Sequence, residues 1–86
     1  MDDIQTNVKT YILNEFLPDA NPAELTPTTP LIAGGILDSL ATVRLVTFLE
    51  QEYDIGVEAH EVNADNLDTL VKIAELVKRK RAGKAR

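Results

Sequence analysis

Apolar residues recur at steps of four near the start of the chain: Ile4, Val8, Ile12 and Phe16, with Tyr11 beside them. That spacing stacks side chains on one helical face and predicts a helix from Asp3 to Leu17. Asp2 or Asp3 is expected to cap its start. Pro18 ends it, because proline cannot continue the backbone hydrogen-bond ladder. No helical period survives over residues 18–37, which hold Pro18, Pro22, Pro27, Pro30, Gly34 and Gly35. A loop this long in a small domain usually has a function. Leu25, Leu31, Ile32, Ile36 and Leu37 predict that it is pinned onto the core.

A second helix is expected from Ser39 to Tyr53, with Asp38 as its N-cap. Its inward stripe reads as Leu40, Val43, Val46, Leu49 and Tyr53, broadened by Leu45 and Phe48. Gly56 breaks the pattern. Residues 57–68 are ambiguous, with one short helical turn over Asn63–Leu67. A closing helix follows from Thr69 to Arg81, capped by Asp68. Leu70, Ile73, Ala74 and Val77 face inward, Leu76 lies near the edge, and Glu75 with Arg79 makes a weak surface pair. The expected fold is all-α: a small four-helix bundle, three main helices and one short, with a long first loop. Residues 1–81 form the domain, and 82–86 are expected to be a frayed basic tail.

Composition narrows the chemistry. The 86 residues contain no cysteine, so neither a disulfide nor a thiolate is available. No apolar run approaches a membrane span, and the opening Met-Asp-Asp is unlike a secretory or mitochondrial leader. These features together point to the cytoplasm, and the charged surface to a monomer. Net charge is −5, yet residues 1–77 alone carry −11, because six of the nine basic residues lie in 78–86. So acidic a body disfavours nucleic acid and favours encounter with basic protein surfaces. The single histidine, His60, has no serine and acid at the spacing of a triad. Asp54, Glu58 and Glu61 lack the calcium-loop pattern, and no metal site is expected. Gly34-Gly35 lacks the lysine and spacing of a phosphate loop. Together these argue against an enzyme.

The informative stretch is Gly34-Gly35-Ile36-Leu37-Asp38-Ser39-Leu40, where the loop meets the most hydrophobic helix. Ser39 would be the first helical residue after an Asp cap, and exposed. Unpaired amides and the positive end of the helix dipole favour a phosphate ester there. The glycines let the backbone bend and leave room for an enzyme to approach. An ordinary capped helix beginning at Ser39 would look the same.

Gly35-Ile36-Leu37-Asp38-Ser39-Leu40 resembles the attachment motif of the carrier-protein family, which includes acyl and peptidyl carrier proteins. The resemblance extends to Thr29-Pro30-Leu31, Val46-Thr47-Phe48-Leu49-Glu50, Tyr53-Asp54-Ile55 and Asn66-Leu67-Asp68-Thr69-Leu70, covering roughly residues 4–80. It implies that Ser39 receives 4′-phosphopantetheine from coenzyme A through a phosphopantetheinyl transferase and Mg²⁺, with Asp38 helping to place metal and serine. The arm's thiol would hold acyl or aminoacyl cargo as a thioester and shuttle it between a loading ligase or synthase and later enzymes. Leu40 and Val43, with Arg44 and Glu50 on the same helix, are the implied partner contacts. Fatty-acid carriers usually display acids along this helix, whereas here Leu40-Ala41-Thr42-Val43 is uncharged and Glu50, Glu52 and Asp54 cluster at the far end. That departure suggests a specialised carrier loaded by a dedicated adenylating ligase. The alternative is a helical adaptor with an acidic docking face and no cofactor.

Overall fold

The computed structural model describes residues 3–84. Its elements are α1 (Asp3–Phe16), a 3₁₀ turn (Pro22–Glu24), α2 (Ser39–Tyr53), a second 3₁₀ turn (Ala59–Glu61), α3 (Ala64–Leu67) and α4 (Leu70–Lys84). The helix expected to end at Arg81 runs on to Lys84; Ala85 and Arg86, in the expected tail, lie outside the described residues. So does Asp2, one of the two candidate caps of α1, while Asp3 is the first helical residue.

α4 packs against each of the other three helices. That explains the breadth of its apolar face: Leu70, Ile73, Ala74, Leu76 and Val77 are all buried. Leu76, expected near the edge, is fully buried, because a helix with neighbours on several sides needs more than one stripe. α1 buries Ile4, Val8 and Ile12 as its spacing predicts. Farther along α1, Tyr11 stacks on Phe48 of α2, with ring centroids 4.1 Å apart.

The phase of α2 departs from expectation. The buried column is Ala41, Leu45 and Leu49, whereas Leu40 and Val43 are 67% and 59% exposed. Apolar residues occupy so much of this helix that periodicity alone does not fix its rotation. The small Ala41, easily overlooked, is part of the buried face. α2 ends at Tyr53, as its pattern predicts. Asp54 adopts the left-handed conformation, φ 54° and ψ 51°, and its amide returns to the Glu50 carbonyl. Short polar side chains tolerate that region, so Asp54, two residues before Gly56, terminates the helix.

The first loop is pinned by Leu25, Leu31 and Leu37, all buried. Gly34 has a steric reason to be glycine: a Cβ there would run into the Pro30 carbonyl oxygen. Gly35 has a conformational one, with φ +81°.

Candidate functional site

Asp38 adopts an extended conformation, φ −81° and ψ −174°, and accepts on Oδ1 from the Ala41 amide at 2.8 Å. Its carbonyl accepts from the Thr42 amide at 2.9 Å and from the Thr42 hydroxyl at 2.8 Å. The Ala41 bond satisfies one of the orphan amides that begin α2, and the Thr42 amide makes the first intrahelical bond. The Ser39 and Leu40 amides are orphans of the same turn that Asp38 Oδ1 does not cap. Ser39 is the first residue of α2 and is exposed. Its hydroxyl has no hydrogen-bond partner among the described residues. A free hydroxyl at the positive end of a fifteen-residue helix is where a phosphodiester is electrostatically favoured.

An open groove of about 550 Å³ adjoins it, lined by Ser39, Thr42 and Val43 on one side and Val62, Asn63 and Ala64 on the other, with Ile32 and Leu37 contributing. On the opposite flank a second groove, lined among others by Glu15, Phe16, Ile36 and Leu40, reaches Asp38 and Arg44. Asp38 lines both grooves. Arg44 is exposed; its carbonyl accepts from the Tyr11 hydroxyl at 3.2 Å. Burial and, behind it, the charge of Glu15 push the Tyr11 hydroxyl's pKa up, so it stays protonated as a donor. Glu50 lies away from this cluster and is half-buried, with its carboxylate accepting from the Val57 amide at 2.9 Å. The structure therefore groups Asp38, Ser39, Leu40, Val43 and Arg44 at one end of α2 and gives Glu50 a bond that folds the chain back after the helix.

Two acidic residues carry geometry that the sequence did not signal. Asp68 was expected to cap α4. Instead Thr69 Oγ1 accepts from the Lys72 amide at 3.1 Å, while Asp68 Oδ1 accepts from the amides of Ile32 at 2.8 Å and Ala33 at 3.0 Å. Either residue of an Asp-Thr pair can cap. Only the approach of the first loop selects Asp68 for the long-range role, and no local pattern reports a contact between residues 36 apart. The Ala33 amide, with that of Ile32, holds the Asp68 carboxyl below its ordinary pKa against the opposing effect of burial. Glu61 accepts from Lys80 Nζ at 2.7 Å and from the Glu58 amide at 2.9 Å. Those bonds, Lys80 foremost, lower its pKa. Arg79 donates to Asn66 Oδ1 at 3.1 Å, so α4 holds the 59–67 segment at two points.

His60 is exposed, 3.9 Å from an equally exposed Glu58 carboxylate. Among the described residues no group of three or more acidic, histidine or cysteine side chains is placed to hold a metal ion. None of the described helices is long and apolar enough to cross a membrane.

The family model described as a phosphopantetheine attachment site matches residues 12–77. The "Probable acyl carrier protein PigG" of Serratia sp. (strain ATCC 39006) is 32% identical over 79 residues, which is 92% of this chain and 90% of that protein. The D-alanyl carrier protein of Streptococcus sanguinis (strain SK36) is 34% identical over 73 residues, 85% of this chain and 89% of that protein. Among solved structures, a chain in a crystal structure described as that of an FAD-dependent dehydrogenase superposes with a TM-score of 0.74 at 33% identity. The superposition covers 81% of this chain and 97% of that chain.

Proposed function

The chain belongs to the phosphopantetheine-attachment family of carrier proteins, and on that premise we propose that Ser39 bears the 4′-phosphopantetheine arm and that the protein carries small acyl or aminoacyl groups between enzymes. The observation that carries the assignment is the exposed, unbonded Ser39 hydroxyl at the start of α2 beside an open groove. When bound, the group supplies a terminal thiol that holds cargo as a thioester. The residues of the chain do the rest. Asp38 fixes the helix start through the Ala41 amide and is the residue we assign to placing the transferase's metal beside Ser39. The amides of Ser39 and Leu40 favour the phosphate negative charge. Leu40, Val43 and Arg44 form the docking face for a phosphopantetheinyl transferase and for loading enzymes.

The packing supports a small cargo. In the helical core Leu45, Leu49, Leu67, Leu70 and Ile73 are all fully buried. The groove beside Ser39 is open to solvent rather than a tunnel into that core. A short acyl or aminoacyl group, loaded by an adenylating ligase, suits it better than a long chain needing shelter. The start of α2, uncharged until Arg44, favours a partner surface that meets apolar side chains and one guanidinium. The solved neighbour, from a structure of an FAD-dependent dehydrogenase, points to a flavin oxidoreductase as one recipient.

The test is incubation with coenzyme A, Mg²⁺ and a promiscuous transferase, followed by intact-protein mass spectrometry. The expected result is one added phosphopantetheine, abolished by Ser39→Ala with thermal stability unchanged. An unmodified, folded wild-type chain refutes the assignment. Mass spectrometry of protein from its own host would then read the cargo.

A further inference from the structure

We propose that Asp68 is a positioning residue for arm transfer, a carboxylate between α3 and α4 that sets where Ser39 stands. This inference rests on the Ser39 reading above. Its basis is a short chain of bonds. Asp68 Oδ1 accepts from the amides of Ile32 and Ala33, at 2.8 and 3.0 Å. The Asp68 carbonyl accepts from the Leu31 amide at 2.6 Å. Three consecutive residues of the first loop are thus held by one residue between α3 and α4. The loop then closes on itself: Gly35 N donates to Ile32 O at 3.1 Å, and Leu37 N donates to Leu31 O at 2.9 Å. Leu37, 3% exposed, fixes the end of that turn in the core. The next residue is the cap Asp38, and the one after it is Ser39.

Asp68 also belongs to the other side of the groove. Its own amide donates to the Ala64 carbonyl at 3.1 Å, and Ala64 lines the groove with Ile32 and Ser39. The Asp68 side chain therefore holds one wall of the groove, and its backbone amide ties it to the other. Thr69 supplies the cap of α4, which leaves Asp68 free for this role. Losing the carboxylate frees the Ile32 and Ala33 amides together, and the turn that delivers Ser39 loosens at its root. Transfer to a hydroxyl demands that the oxygen stand in line with the phosphate, and a misplacement of about 1 Å costs on the order of tenfold to a hundredfold in rate.

The experiment compares wild type, Asp68→Ala, Asp68→Asn and Ile4→Ala in transfer from coenzyme A by a promiscuous transferase, at a temperature where all are folded. Ile4 is buried in the first turn of α1, outside the groove beside Ser39, so Ile4→Ala controls for lost stability. Asp68→Ala should lower kcat about tenfold with little change in KM. Asp68→Asn, which keeps an acceptor oxygen, should recover to within about twofold of wild type. Ile4→Ala should transfer at the wild-type rate. If Asp68→Ala does not fold, Asp68→Glu keeps the charge but displaces the oxygen, and it should also lower kcat. Wild-type kcat in Asp68→Ala, an equal loss in Ile4→Ala, or wild-type kcat in Asp68→Glu overturns the proposal while leaving Ser39 modified. No modification of wild type sinks the Ser39 assignment, and this inference with it.

Discussion

Leu40 and Leu45 lie five residues apart on one helix, and their replacement by alanine should have opposite consequences. Leu45 is fully buried. Leucine-to-alanine changes at such sites cost about 2–5 kcal/mol, because the transfer term and the cavity term add. In a domain of this size each kcal/mol moves Tm by about 4–8 °C, so Leu45→Ala should lower Tm by roughly 8–40 °C. Leu40 is 67% exposed. Full burial of a leucine contributes about 1.5–3 kcal/mol, and the third that Leu40 hides makes its loss worth under about 1 kcal/mol. Leu40→Ala should therefore lower Tm by no more than about 8 °C. An exposed apolar side chain beside the attachment serine is instead placed to fill a partner's pocket. Its removal should reduce kcat/KM with a phosphopantetheinyl transferase by about tenfold, or about 1.4 kcal/mol. The assays are circular-dichroism melts and transfer kinetics at about 15 °C, within the range of maximal stability. Equal Tm losses in the two variants would show the rotation of α2 to be wrong. Unchanged kinetics in Leu40→Ala would remove the docking role.

Three further outcomes are expected. Glu61 has its carboxyl pKa lowered by Lys80 and the Glu58 amide, so its contribution is complete above the ordinary carboxylate range and lost as pH falls through the lowered value. Wild type should out-melt Glu61→Gln at pH 7, and the gap should close below about pH 4; a gap independent of pH contradicts this linkage. Gly35→Ala puts a Cβ at φ +81° and should cost about 1–2 kcal/mol in urea unfolding, with a neutral result showing that the turn relaxes. The stacked Tyr11–Phe48 pair should show a coupling of about 0.5–1.5 kcal/mol in a double-mutant cycle with leucine replacements, and additivity would deny the stack any energy of its own.

The sequence by itself determined the helices and the place where loop becomes helix. Ile4, Val8 and Ile12 stack every turn, and Pro18 bars continuation, so α1 needed no tertiary information. Asp38 before an apolar run is a local cap signal, and it put Ser39 at the first position of α2. Only the tertiary structure decided which face of α2 turns inward, because the helix is apolar on so much of its circumference that the choice falls to the neighbours it packs against. It also decided that Thr69 caps α4 while Asp68 holds the loop before Ser39. Both residues have the chemistry for either task, and a hydrogen bond spanning 36 positions leaves no periodic trace in the chain. Local spacing encodes what neighbouring residues do to one another; the meeting of distant segments depends on how the whole core closes.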